Sequence, residues 1–285
     1  MNSDSQSGKR RVSLVIGAGG IKCAAAIGLW KVLRDEGIEI SLLVGSSGGS
    51  LYAGAIALGW DDQTLASKTI DLWTTDIMEG YTANLRAAMS GESRFTEASG
   101  LVDDRRLNER LSAAFTDAQI TDAPVPLRIA ACDLFTGETI VISSGKIVDA
   151  VRASVSIPFL FPPWRIGERL LVDGAVSDPL PIDIAIQEGS DIILAMGFEL
   201  PIRKNLRSYT SVSAHFNSLY MNNILKSSFA FHNLAHHAEI ITLLPDFEQA
   251  VGTFDHHLIP LVIQAGERAA VEQIPYLRRL LKENG

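Results

Sequence analysis

The stretch Gly45-Ser46-Ser47-Gly48-Gly49 carries more information about this chain than any other. The apolar run before it, Leu42-Leu43-Val44, predicts a strand, and the Ala-rich apolar residues 51–58 predict a helix. A strand, a G-x-S-x-G turn and a helix are the layout of a nucleophile elbow, which strains the serine backbone and raises its hydroxyl above the sheet. Ser47 is therefore a candidate nucleophile, and Gly45 and Gly49 would let the strand and helix nearly touch. A Gly/Ser turn without chemistry is the alternative.

The composition limits the kind of protein this can be. With 285 residues, of which 47% are hydrophobic, the chain can form one large α/β domain. A net charge of −8 gives no general attraction to nucleic acid or to anionic membranes, so we expect no nucleic-acid partner. Any lipid contact would have to be local and apolar. Two cysteines are too few for a disulfide framework and favour a reducing, cytoplasmic location.

Neither export nor membrane insertion is expected from the sequence. Lys9-Arg10-Arg11 precedes an apolar run at 12–20, but glycines break that run, Lys22 follows it, and no small-residue cleavage site is present. No uncharged apolar run reaches ~18 residues, so no transmembrane helix is predicted.

Strand-like and helix-like segments alternate along the chain. Strands are predicted at 12–16, 40–44, 127–132, 138–143, 170–172, 191–198 and 240–244. Helices are predicted at 21–36, 50–58, from a cap at Asp61 or Asp62 through 73, and at 103–115, 181–188 and 258–282, the last broken near Pro275, whereas 75–100 looks less regular. Continuous apolar strands alternating with helices predict an α/β fold with a mostly parallel sheet covered on both faces. We expect a disordered tail at 1–10 and a single domain at 11–285, with a helical surface insertion at 201–239.

A glycine loop, Gly17-Ala18-Gly19-Gly20-Ile21-Lys22, lies between the first predicted strand and helix. Lys22 stands where a dinucleotide fingerprint needs its third glycine, and the Gly-Lys-Ser/Thr of a phosphate loop is missing. The alternative is an oxyanion hole, in which the backbone N–H groups of Gly19 and Gly20 would meet charge developing on an acyl oxygen. Lys22 would add positive charge near the oxyanion or a lipid phosphate, or would be a solvated surface lysine.

A serine nucleophile needs a general base, and the candidate is Asp173 in Leu171-Val172-Asp173-Gly174-Ala175. This carboxylate follows a short predicted strand, at the sheet edge where open α/β sheets carry their sites. A turn Asp before Gly is the alternative, and an unperturbed Asp with a pKa of ~3.9 is a weak base. It would therefore need a short hydrogen bond to Ser47 in a partly desolvated pocket.

The histidines are less convincing bases because all of them lie late in the chain, outside any evident catalytic setting. They are His215, His232, His236, His237, His256 and His257. Adjacent residues on a helix point apart, so the paired histidines predict no metal site.

Four motifs in this order resemble those of the patatin-like phospholipases. They are the glycine loop with a basic residue at 17–22, the elbow at 45–49, the segment Arg152-Ala153-Ser154-Val155-Ser156-Ile157-Pro158, and Asp173-Gly174-Ala175. The match spans roughly residues 12–196. The chain departs from the usual pattern at Ala18, Cys23, Ser50 and Asp178, which leaves both proposed reacting residues in place.

This resemblance implies a three-layer α/β/α fold and hydrolysis of fatty-acyl esters of phospholipids or lysophospholipids. It implies that Ser47 is the nucleophile and Asp173 the base of a catalytic dyad. It also implies that Gly19 and Gly20, with Ala18, form the oxyanion hole, and that neither a metal nor another cofactor takes part. Lipid is then the expected partner, and peripheral contact with the inner membrane face would follow from that substrate.

Two rival functions stay open at this stage. An α/β-hydrolase with a Ser-Asp-His triad has a compatible chain order, and a catalytically inert lipid-binding homologue would keep the same motifs. Two apolar clusters could line an acyl groove or be ordinary core. They are Leu72, Trp73, Ile77, Met78, Tyr81, Leu85 and Met89, and Phe159, Leu160, Phe161 and Trp164. The sequence does not specify an oligomeric state.

Overall fold

A computed structural model describes residues 10–72, 75–90, 96–97, 99–202, 205–235, 238–252 and 255–282. Nine of the ten residues of the predicted N-terminal tail lie outside this described part of the chain. So do Trp73 of the first apolar cluster and the pair His236 and His237.

The centre of the molecule is one eight-stranded sheet. Its strands are β1 (Val12–Ile16), β2 (Leu42–Ser46), β3 (Leu127–Asp133), β4 (Thr139–Ile142), β5 (Trp164–Ile166), β6 (Arg169–Asp173), β7 (Ile192–Met196) and β8 (Glu239–Leu243). They lie in the order β5-β6-β3-β2-β1-β7-β8, with β4 paired to β3. Strands β3, β2, β1, β7 and β8 are parallel to one another. Strands β4 and β6 pair antiparallel with β3, and β5 pairs antiparallel with β6. The predicted, mostly parallel sheet is therefore confirmed.

The α-helices of the described residues cover both faces of this sheet. They are α1 (Ala25–Asp35), α2 (Gly48–Ala57), α3 (Asp62–Leu72), α4 (Tyr81–Ser90), α5 (Arg105–Phe115), α6 (Ile147–Ser154), α7 (Ile182–Gln187), α8 (Tyr209–Ala235) and α9 (Ile259–Lys282). None of these helices is both long and apolar enough to cross a bilayer.

Two separate cores show the three-layer arrangement directly. One contains α1, α2, α5, α6 and α9 with alternate strand residues such as Leu14 and Leu43. The other lies on the opposite face, where Val15 and Val44 meet α7 and, through Leu225, α8. Because side chains alternate between the faces of a strand, each strand contributes to both cores, which explains the continuous apolar runs of the sequence. The α/β/α architecture is as expected.

Two predictions of local structure were wrong. Residues 81–90, placed in a less regular region, form helix α4, whose residues are all at least partly exposed. Helix α9 is continuous through Pro275 instead of broken there. Ile274 and Leu277 on either side of the proline are both buried. Their burial favours one helix over the local break that proline alone would impose.

Candidate active site

Ser47 occupies the turn between β2 and α2 with φ 53° and ψ −132°. A positive φ is unfavourable for a residue with a side chain and persists only where the surroundings enforce it. The glycines on each side are required by close approach: a Cβ on Gly49 would lie 2.2 Å from the Ile16 carbonyl oxygen, and one on Gly45 would lie 2.5 Å from the Ser50 Cα. The elbow geometry expected from the sequence is therefore present.

Neighbouring serines hold this strained turn. The Ser47 N–H donates to Ser154 Oγ at 2.8 Å, and the Ser154 hydroxyl donates to the Ala130 carbonyl at 2.7 Å. The Ser50 hydroxyl donates to the Ser47 carbonyl at 2.6 Å. Sequence reasoning missed the contribution of Ser154, because α6 brings it to the elbow from more than a hundred residues along the chain.

Sheet pairing brings Asp173 to Ser47. Strand β3 lies beside β2 with Ala130 opposite Ser46, and antiparallel β6 pairs Asp173 with Ala131. The residue after Ser46 and the last residue of β6 consequently meet at one edge of the sheet. The Ser47 hydroxyl donates to Asp173 Oδ2 at 2.7 Å, and the Ala175 N–H donates to Oδ1 at 2.9 Å.

The environment of Asp173 makes its carboxyl unusually basic. The side chain is 3% exposed. Burial raises its pKa from 3.8 to about 6, while the hydrogen bonds from Ser47 and from the Ala175 N–H act in the opposite direction. Desolvation dominates because the carboxylate has lost water without gaining a cation. Nearby, the burial of Cys23 raises the pKa of its thiol, and the negative charge of Asp173 raises it further.

The glycine loop borders the same space as Ser47. Gly20 and Gly48 line one cavity with Ser47, and a Cβ on Gly48 would lie 2.8 Å from the Gly20 carbonyl oxygen. The Ala18 N–H, in contrast, donates to the Pro179 carbonyl at 2.7 Å. Of the predicted oxyanion donors, Ala18 is thus already engaged. The N–H of Gly48, next to the serine at a helix start, is a candidate that sequence reasoning missed.

Lys22 is not a solvated surface residue, because it is 3% exposed. Its ammonium donates to the Glu199 carbonyl at 2.6 Å and lies 5.8 Å from the centroid of the Phe247 ring. Burial lowers its pKa from 10.5 to about 8. The lysine links the glycine loop to the segment that follows β7.

A cavity of about 30 Å³ opens beside Ser47 and Gly20, room for about one water molecule. Its other lining side chains are almost entirely apolar. They are Leu51, Leu72, Ile77, Leu107, Leu111, Val155, Ile157 and Phe161. Each predicted apolar cluster contributes to this wall, Leu72 and Ile77 from the first and Phe161 from the second, whereas Met89 is exposed on α4.

Arg152 organises the segment that precedes the acid. Its guanidinium is 1% exposed and donates from Nε to Asn108 Oδ1 at 2.6 Å and from Nη1 to Ser156 Oγ at 2.6 Å. Nη2 forms an ion pair with Asp104. The Ser156 carbonyl in turn accepts the Asp173 N–H at 3.0 Å. This buried ionic network was not foreseen from the sequence.

Of the described histidines, His215 and His232 lie on α8, and His256 and His257 lie next to α9. Both oxygens of Asp173 are engaged by Ser47 and Ala175. In a Ser-His-Asp triad the carboxylate contacts histidine and histidine contacts serine. Here the carboxylate accepts directly from serine. Within the described part of the chain, no three His, Cys, Asp or Glu residues are grouped to hold a metal ion.

Comparison with known sequences identifies relatives of this chain. A sequence model of the family described as "Patatin-like phospholipase" matches residues 14–186, more than half of the chain. An uncharacterized NTE family protein of Mycobacterium tuberculosis is 30% identical over 176 residues, which cover 61% of this chain and 28% of that protein. Patatin-like phospholipase domain-containing protein 7 of Mus musculus is 25% identical over 187 residues, 65% of this chain and 13% of that protein. The chain thus spans less than a third of either relative.

A solved structure shares the fold. VipD from Legionella pneumophila superposes with a TM-score of 0.55 at 12% sequence identity, covering 94% of this chain and 67% of that chain. At this identity the similarity concerns the fold alone.

Proposed function

Because the chain belongs to the patatin-like phospholipase family, which supports lipid acyl hydrolysis in general, we propose that it cleaves fatty-acyl esters of phospholipids or lysophospholipids. The reaction would use Ser47 as nucleophile, Asp173 as base and an acyl-enzyme intermediate. The observation that carries this proposal is the 2.7 Å hydrogen bond from the strained Ser47 hydroxyl to the buried Asp173 carboxylate.

In the first step, Ser47 Oγ attacks the acyl carbonyl carbon while its proton passes to Asp173 Oδ2. The tetrahedral intermediate then expels the alcohol, which takes this proton from Asp173 as it leaves. A pKa of about 6 suits both roles, since the carboxyl is mostly ionised at neutral pH yet basic enough to hold the proton briefly.

In the second step, Asp173 accepts a proton from water as that water attacks the acyl-serine. Collapse of the second tetrahedral intermediate returns the proton to Ser47 Oγ and releases the fatty acid. One carboxylate thus serves each half-reaction in turn, and no cofactor enters the sequence.

The developing oxyanion requires fixed donors. We assign this role to the backbone N–H groups of Gly19 and Gly20, supplemented by that of Gly48. Gly20 and Gly48 border the Ser47 cavity, and the elbow holds Gly48 at the start of α2, where the helix dipole favours negative charge.

The apolar cavity beside Ser47 supports an acyl group as the part of the substrate that is bound. Its volume of about 30 Å³ is far below that of a fatty-acyl chain. Productive binding therefore requires its wall to open, and two of its residues, Leu72 and Ile77, belong to short helical segments, α3 and a single turn at Thr75–Met78.

The experiment is labelling with a fluorophosphonate, followed by a panel of phospholipid, lysophospholipid, neutral lipid and acyl-thioester substrates with released fatty acid as the readout. We expect stoichiometric labelling that Ser47→Ala abolishes and Ser46→Ala leaves intact, together with fatty-acid release from at least one glycerophospholipid class. A chain that does not label would be an inert homologue, and labelling lost on substitution of one histidine would support the triad hydrolase instead.

A further inference from the structure

Helix α8 (Tyr209–Ala235) connects β7 to β8. Its Asn222 side chain accepts from the Leu200 N–H at 2.7 Å and donates to the Leu200 carbonyl at 2.9 Å, just past the carboxyl end of β7. The helix then descends to β8, which is parallel to β7. Residues 209–221, here called the α8 arm, therefore project about 20 Å past that anchor at 1.5 Å per residue.

One face of α8 is held by the protein and the opposite face is not. Ser218, Asn222 and Leu225 are buried. On the other side, Phe216, Tyr220 and Ile224 recur every fourth residue and are 49%, 64% and 39% exposed. The Phe216 and Tyr220 rings stack with centroids 6.3 Å apart. This spacing places the three side chains in one apolar stripe along the helix.

Other exposed apolar side chains lie on segments that leave the same edge of the sheet. They are Phe135 after β3, Val176 after β6, Ile202 and Leu206 after β7, and Leu244 after β8. Apolar exposure is thus concentrated around the edge that carries Ser47 and Asp173. Concentrated apolar exposure of this kind marks an interaction surface.

The charge of this region is opposite to that of the whole chain. The chain carries a net charge of −8, yet the sequence between Pro201 and Ala238 contains no Asp or Glu and four cations, Arg203, Lys204, Arg207 and Lys226. One of them, Lys226, forms an ion pair at 3.3 Å with Glu199, which precedes this stretch. Arg207 is exposed immediately before α8. Exposed aromatic and aliphatic side chains along one face of a helix, with cations nearby in the sequence, favour binding to anionic bilayer surfaces.

We propose that the α8 arm, with the Phe216-Tyr220-Ile224 stripe and Arg207, docks the protein onto a lipid bilayer that contains anionic headgroups. That the partner is a lipid bilayer rests on the proposed function. The position of the docking surface and its chemistry rest on the exposed stripe and the local positive charge. Docking in this way turns the edge of the sheet with Ser47 toward the lipid. On the buried face of the same helix, Asn222 holds Leu200, and the carbonyl of the preceding residue, Glu199, accepts a hydrogen bond from Lys22 of the glycine loop.

The test is co-sedimentation of the full chain carrying Ser47→Ala, so that no lipid is consumed, with vesicles of phosphatidylcholine alone or mixed with phosphatidylglycerol. We expect stronger binding to the mixed vesicles. The triple variant Phe216→Ser, Tyr220→Ser, Ile224→Ser should bind roughly 100-fold more weakly, because interfacial affinity scales with buried apolar area. Arg207→Gln should bind roughly fivefold more weakly to the mixed vesicles only.

The matched control is Val271→Ser on α9, which is 56% exposed and is not part of the α8 arm. This variant should bind like the parent chain. Equal binding by the parent and the triple variant, or no binding by the parent, would overturn the proposal. So would a concentration-dependent dimer in sedimentation equilibrium that the triple variant abolishes, because the stripe would then be a protein interface.

Failure here and failure of the proposed function are separable. Vesicle binding is measured on an inactive chain, whereas the hydrolase assignment depends on fluorophosphonate labelling of Ser47. A chain that labels without binding vesicles loses only the docking surface, and a chain that binds vesicles without labelling loses only the enzymatic assignment.

Discussion

Asp173 and Arg152 are both buried charged side chains, linked through Ser156, but they differ in the number and charge of their hydrogen-bond partners. The Arg152 guanidinium has Asp104, Asn108 and Ser156 as hydrogen-bond partners. It also lies 5.0 Å from the centroid of the Trp164 ring. Asp173 accepts hydrogen bonds from one hydroxyl and one backbone N–H, and no cation contributes to the shift of its pKa.

We infer that the difference separates a structural charge, Arg152, from the proposed reactive one, Asp173. A buried ion with full partners stays ionised and fixes the segment around it, whereas a buried carboxylate with few partners gains proton affinity. Burial lowers the pKa of Arg152 and the contact with the Asp104 carboxylate offsets part of this, but no cation offsets the burial of Asp173. Burial with few hydrogen-bond partners and no cation thus raises the proton affinity of an Asp at the end of a strand, and this makes Asp173 a candidate base.

The largest expected effect follows from removing either member of the proposed reactive pair, Ser47 and Asp173. Ser47→Ala and Asp173→Asn should each lower kcat/KM by roughly 10⁴-fold or more, because a nucleophile and its base act as a unit. Asp133→Asn is the matched control, since Asp133 also ends a strand at this edge but accepts from the Phe135 and Thr136 N–H groups, which lower its pKa. If Asp173→Asn turned over substrate nearly as fast as Asp133→Asn, the proposed role of Asp173 as base would be contradicted.

The next effect concerns the structural charge. Arg152→Ala should lower the free energy of unfolding by about 3–5 kcal/mol, because it leaves the Asp104 carboxylate without its buried partner. Urea unfolding measures this free energy. Arg169→Ala, which removes a half-exposed guanidinium paired with Asp133, should change it by less than about 1 kcal/mol. Should Arg152→Ala fail to fold, Arg152→Lys keeps the charge and should be intermediate. If Arg152→Ala and Arg169→Ala lowered the free energy of unfolding by similar amounts, the structural role proposed for the buried network would be contradicted.

A smaller effect should appear in the pH dependence of stability. The folded pKa of Asp173 lies above its unfolded value of 3.8, so its contribution to stability is present below about pH 4 and is lost as the pH rises to about 6. Asp173→Asn should therefore be more stable than the parent at pH 8, by up to about 3 kcal/mol, and no more stable at pH 3. Thermal unfolding across this range measures the difference. Asp133→Asn should show the opposite sign, because the folded pKa of Asp133 is lowered.

The elements next to the elbow were the easiest to predict from sequence. Strand β1 agrees to the residue with the predicted 12–16, because a buried parallel strand is a continuous apolar run bounded by glycine. The strained turn at Ser47 was foreseen because its glycines leave few other packings of strand and helix. In both places a local pattern is sufficient.

Other features depend on distant contacts and were missed for that reason. Nothing near Arg152 in sequence reveals Asp104 and Asn108, which α5 and its N-terminal loop bring from more than forty residues away. Burial of Lys22 depends on Glu199 and Phe247. The continuity of α9 through Pro275 likewise follows from packing and not from local propensity.

The central claim is that the Asp173 carboxylate activates Ser47 without a histidine, and the rate of fluorophosphonate labelling of Ser47 as a function of pH tests it most directly. The parent chain should label at a rate that falls on the acid side with an apparent pKa of about 6, since protonated Asp173 cannot accept the Ser47 proton. Asp173→Asn should label slowly with no such acid limb, and each single histidine substitution should keep the parent profile. An acid limb that persists in Asp173→Asn and disappears on substitution of one histidine would contradict the account.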